Sequence, residues 1–73
     1  MPIRLYTVVE AVEWMTRRGL KMPSGDRIKY KQFMNYFGRV RKQGLQTVRV
    51  ARNWLIPEGE LQRLEEIWRT LTE

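Results

Sequence analysis

Cysteine and histidine are both absent from these 73 residues. Without cysteine there is no disulfide to staple a small fold and no thiolate to hold a metal. Without histidine the commonest metal ligand and the usual general base near neutral pH are missing. No apolar run approaches the roughly 20 residues needed to cross a bilayer as a helix. The opening, MPIRLYTVVE, lacks the charged-then-apolar order of a secretory leader. A glycine-rich phosphate loop is also lacking. The adjacent Glu65 and Glu66 point to different sides of a helix, and Glu58 and Glu60 are explained by a helix dipole. These absences exclude the common enzymatic, metal-dependent and cofactor-dependent classes. They lead to the expectation of a non-enzymatic protein without cofactor or membrane partner, in the cytoplasm of a bacterial or phage-infected cell.

One further scarcity is local. Between Arg17 and Arg52 eleven Lys or Arg residues stand against a single acid, Asp26. After Pro57 the balance inverts, with Glu58, Glu60, Glu65, Glu66 and Glu73 against Arg63 and Arg69. The formal net charge is +6. A basic middle beside a neutral-to-acidic tail implies one surface that faces a polyanion. The bland alternative is a solvated basic face. A chain this short buries only about 60% of the surface its unfolded form exposes, so one domain over residues 1–73 with an economical core is expected. Three tryptophans, three tyrosines and two phenylalanines supply its apolar area.

Local signals divide the chain into elements. Residues 3–6 suggest a short entry strand. Thr7-Val8-Val9-Glu10 fits a capping box, and Val8, Ala11, Val12 and Met15 recur at helical spacing, with Trp14 at the edge of the stripe. Arg17, Arg18 and Gly19 mark the stop. Residues 20–27 read as a loop, with Ser24 or Asp26 available to cap the next helix. That second helix is expected over 27–43. Its inner side carries Phe33, Phe37 and Val40, and its outer side Lys31, Gln32, Asn35, Gly38, Arg39 and Lys42. Gly38 costs helix stability there. It marks either a close approach by a phosphate backbone or a bend or tight packing contact.

Gly44 ends that helix and the period then changes. Val48 and Val50 should face one way, with Thr47, Arg49 and Ala51 facing the other. A turn follows at residues 51–53, with Asn53 able to take positive φ. Trp54 and Ile56 return toward the core, Trp54 largely buried at the base of the hairpin. Pro57 suits the first position of a third helix with a stripe of Leu61, Leu64, Ile67, Trp68 and Leu71. The expected fold is mainly α with a small β-hairpin. Three helices plus a two-stranded wing make a winged helix-turn-helix.

The chain resembles the excisionase and MerR-type winged-helix DNA-binding domains. The resemblance is carried by Tyr6-Thr7-Val8-Val9-Glu10-Ala11 at the first helix and by Arg41-Lys42-Gln43-Gly44-Leu45 at the end of the second. It continues through Val48 to Pro57 and Glu60-Leu61. The chain departs from that family in the insertion at 20–27 and in its long second helix. It also stops soon after the third helix, so an excisionase-like architectural factor, a small phage or mobile-element regulator, or the DNA-reading part of a packaging protein fits the size better than a MerR-type activator. The resemblance implies sequence-specific binding of double-stranded DNA by a small architectural or regulatory factor, in recombination directionality or transcription control. Copies side by side on DNA, or a recombinase or polymerase partner, would accompany it.

On that reading Gln32, Asn35 and Arg39 meet base edges in the major groove, where amides and guanidinium groups can pair with bases. Lys29, Lys31 and Lys42 meet phosphates. Arg49 and Arg52 on the wing, with Asn53 at its turn, reach the adjacent backbone or minor groove. Two alternatives stay open: a module that docks on another protein, and an RNA-binding domain whose tyrosines stack on unpaired bases.

Overall fold

A computed structural model describes residues 3–72; the tail acid Glu73 lies outside them. In chain order the elements are β1 (Leu5–Thr7), α1 (Val8–Arg17), α2 (Tyr30–Lys42), β2 (Val48–Val50), β3 (Asn53–Pro57) and α3 (Leu61–Thr72), with a 3₁₀ turn at Glu58–Glu60 before α3.

The capping box forms as its spacing dictates. The Glu10 N–H donates to Thr7 Oγ1 at 3.1 Å, and the Thr7 N–H donates to Glu10 Oε1 at 3.0 Å. That second bond, with smaller help from the Thr7 hydroxyl and Arg4, holds the Glu10 carboxyl below the usual carboxylate range. α1 buries Val8, Ala11, Val12 and Met15, the stripe its spacing defines. Past its end Gly19 takes φ +80°, and the Leu20 N–H returns to Met15 O at 3.1 Å.

The connector between α1 and α2 is pinned down. Leu20, Met22 and Ile28 are buried. The Met22 N–H donates to Asp26 O at 2.8 Å, the Gly25 N–H donates to Met22 O at 2.8 Å, and Lys21 and Arg27 form an antiparallel bridge. These bonds delay α2. It starts at Tyr30 rather than 27 and ends at Lys42 rather than 43, because Ile28 is spent anchoring the connector and Lys29 is extended (φ −110°, ψ 147°). Neither expected cap serves it. The Ser24 hydroxyl donates to Asp26 Oδ2 at 3.0 Å, and Lys29, the actual N-cap, offers no side-chain acceptor.

α2 and α3 meet through aromatic rings. Trp68 is fully buried, its ring 5.5 Å from Phe33 and 5.4 Å from Tyr36, the latter edge-on. A buried indole N–H needs an acceptor; here it donates to Lys21 O in the connector at 2.9 Å. Phe33, Phe37 and Val40 of α2 and Leu61, Leu64 and Ile67 of α3 complete a core shared with α1, the connector, Leu45 and Ile56.

The strands form one antiparallel sheet in the order β1-β3-β2. The fold is therefore mixed, three helices and three strands, where a two-stranded hairpin was expected. β3 is the central strand, long enough to use both of its edges. Val48, Arg49 and Val50 pair with Leu55, Trp54 and Asn53, while Leu5, Tyr6 and Thr7 pair with Pro57, Ile56 and Leu55. β1 starts two residues and ends one residue later than the 3–6 stretch its composition suggested.

Three local expectations at the hairpin change. The turn is the two-residue step Ala51-Arg52. Ala51, not Asn53, takes the positive φ (+56°), while Asn53 already belongs to β3. Trp54 is half-buried, because its ring lies across α2 instead of entering the core. Pro57 closes β3 and caps the 3₁₀ turn, so α3 begins only at Leu61. Glu60 is more than a dipole partner: its carboxylate accepts from the Gln46 N–H at 2.8 Å and lies 3.8 Å from Arg63.

Candidate nucleic-acid interface

All nine residues expected at the interface (Lys29, Lys31, Gln32, Asn35, Arg39, Lys42, Arg49, Arg52 and Asn53) are exposed. The helical repeat brings five of them onto one side of α2. Lys31, Asn35 and Lys42 run along the face opposite Phe33, Phe37 and Val40, with Gln32 and Arg39 on its flank. Gly38 lies within this row, and a Cβ built there meets nothing within 4 Å. No packing contact therefore requires glycine at this position, and α2 runs unbroken through it.

The ends of α2 are electrostatically unlike. Its first turn holds no acid and no side-chain cap, so its free N–H groups and positive dipole end stand beside Lys29 and Lys31. Its last turn carries Arg39, Arg41 and Lys42, which the negative end favours.

In the hairpin the predicted alternation holds, and the register decides which side is which. Arg49 pairs with Trp54, and the next pair inward along β3 joins Tyr6 to Ile56. Arg49 therefore shares the inner face of the sheet with Trp54, Tyr6 and Ile56, while Val48, Val50, Leu55 and Leu5 line the outer face. The Arg49 guanidinium carbon lies 4.9 Å from the Trp54 ring centroid. That of Arg41 lies 4.0 Å from the same centroid, and Phe37 meets the indole edge-on at 5.7 Å. Arg41 was not among the expected interface residues. It falls between the polar and apolar sides of α2, and only its later strand neighbour reveals what it touches. Arg39 lies over Tyr36 at 5.5 Å.

Arg52 and Asn53 line a cleft of about 330 Å³ with Thr7, Val9, Tyr30, Met34, Trp54 and Leu55. The tip of the hairpin and the first turns of α1 and α2 thus border one depression.

Charge is partitioned by element. Of the eleven cations between Arg17 and Arg52, only Arg18 has a carboxylate partner among the described residues, Glu65 at 2.7 Å. Three acids pair with cations outside that stretch: Glu10 with Arg4, Glu60 with Arg63, and Glu65 with Arg69 as well. The bond from Arg18 holds the Glu65 carboxyl below the usual range, with a lesser contribution from Arg69.

Among the described residues no group of three acidic, histidine or cysteine side chains is placed to hold a metal ion, and no helix is long and apolar enough to cross a membrane. Comparison with family models, with curated proteins and with solved structures finds no match for this chain.

Proposed function

We propose that this protein binds double-stranded DNA in the manner of a winged helix-turn-helix of the excisionase type, with α2 in the major groove and the β2–β3 hairpin on the adjacent backbone. One observation carries the reading. Ten cations spread over the end of α1, the connector, α2 and the hairpin lack carboxylate partners among the described residues, and Asp26 is the one acid of that stretch. A solvated face chosen for solubility alone would mix both signs. Like charges concentrated on adjoining elements gain most from a polyanion.

The dimensions support this reading. Thirteen residues make α2 about 20 Å long, and an α-helix fits the major groove of B-form DNA. Asn35 and Arg39 offer amide and guanidinium groups to base edges, Gln32 adds a second amide, and Lys29, Lys31 and Lys42 flank them for phosphate. The protein acts without catalysis or cofactor, as a small architectural or regulatory factor in the cytoplasm.

A second reading, docking on another protein, is favoured by a different surface. Val48 and Val50 are 39% and 54% exposed on β2, an edge strand whose outer ladder is unpaired.

Fluorescence-anisotropy titration of a labelled duplex against salt tests the proposal. With about six cations on phosphates, log K should fall against log salt with a slope near −5. Lys42→Ala should flatten that slope by about one unit and weaken all sequences alike. Asn35→Ala or Arg39→Ala should cost roughly 1–3 kcal/mol on a preferred site and little on random DNA. A flat salt response rejects the proposal, and binding that survives high salt with a protein ligand favours the second reading.

A further inference from the structure

We infer that the Trp54 indole is a platform that holds Arg41 and Arg49 as a paired site for one backbone phosphate, at the junction of α2 and the hairpin. The inference rests on the duplex-DNA reading and adds a contact to it.

Both guanidinium groups lie close over the same ring, Arg41 at 4.0 Å from its centroid and Arg49 at 4.9 Å. Trp54 itself is well fixed. It pairs with Arg49 across the hairpin, precedes the fully buried Ile56 by two residues, and meets Phe37 of α2 edge-on. A guanidinium laid on an aromatic ring uses its π face and keeps the N–H donors at its edge free. Neither arginine spends those donors on a carboxylate among the described residues. Two like charges held at one ring repel each other, and a bound anion offsets that repulsion. The non-bridging oxygens of a phosphodiester match two such edges.

A lysine could not take either part. Its ammonium is a point charge with no planar face to stack and no paired donors to aim. This separates a built phosphate site from general electrostatic attraction, because Arg41→Lys keeps the charge and loses the geometry.

The experiment compares wild type, Arg41→Lys and Arg49→Lys for duplex affinity, salt slope and melting temperature. Either lysine variant should lose about tenfold in affinity while its salt slope stays that of wild type. Whichever variant melts like wild type carries the comparison. Duplex should also change the tryptophan emission of wild type but leave that of Trp54→Phe unaltered, since the emitting indole at the site is then gone. Lysine variants that bind as tightly as wild type overturn the paired site and leave the duplex reading standing. A wild type that binds no duplex at low salt overturns both. Inorganic phosphate at matched ionic strength serves as the last arm: an emission change with phosphate but none with duplex overturns the assignment to nucleic-acid backbone.

Discussion

A φ of +56° places the Ala51 side chain in the region that L-residues avoid, at the first position of a two-residue hairpin turn. With no other non-glycine positive φ in the turn, the sign pattern is that of a type II′ turn, which normally has glycine at this position. Ala51 is exposed, so its methyl group makes little packing to offset the strain. Ala51→Gly should therefore stabilise the fold by about 0.5–1 kcal/mol, after the added freedom of glycine in the unfolded chain is subtracted. Thermal melts would show it as a rise of roughly 2–8 °C, and a fall would mean that the methyl group makes a contact that matters. Sequence alone pointed to Asn53 for this role, because asparagine tolerates such angles. The register of three cross-strand pairs decided otherwise, and a register is a property of two strands together.

Within α2 the weak point is Gly38, where an added Cβ meets open space. Gly38→Ala should raise helix stability by about 1 kcal/mol. If the duplex lies against this row, the same change should lower affinity, because the added methyl group stands where backbone would otherwise meet backbone. Circular-dichroism melts and anisotropy on the one variant separate the two effects. A stabilised variant with full affinity would remove Gly38 from the contact surface.

The inner faces of all three helices followed from periodicity, since burial of Phe33, Phe37, Val40 and the α3 stripe needs only a 3.6-residue repeat. The exposed row of candidate contacts was readable for the same reason. The start of α2 was not, because it depends on Ile28 and Met22 finding places in a core built by other elements. β1 escaped as a sheet member because three residues carry almost no pattern of their own. The pair of arginines at Trp54 belongs to geometry that no spacing rule contains.

Among the described residues, three acids are paired, Glu10, Glu60 and Glu65, while ten cations of the basic middle have no carboxylate partner. Of the paired acids, Glu10 is held below its ordinary value by the Thr7 backbone bond, and Glu65 by Arg18. A lowered carboxylate value in the fold means that stability is fully present above the ordinary carboxylate range and drains away as pH falls through the lowered value. Melting temperature should thus hold at neutral pH and drop on acidification below that range. Glu65→Gln, which cannot ionise, should melt lower than wild type at pH 7 and lose less on acidification. Parallel curves for the two proteins would mean that the bond from Arg18 contributes nothing to folding.

The hydrogen bond from the Trp68 indole to Lys21 O joins positions 47 residues apart. Protein synthesis is vectorial, so this bond, and the ring contacts of Trp68 with Phe33 and Tyr36, cannot close before α3 has left the ribosome. Until then the apolar underside of α2 is covered only by α1, the connector and the sheet, and the Lys21 carbonyl lacks the indole that fixes it. A chain truncated before α3 should therefore fail to fold cooperatively, so any activity that needs the folded surface arrives only once the last helix is made.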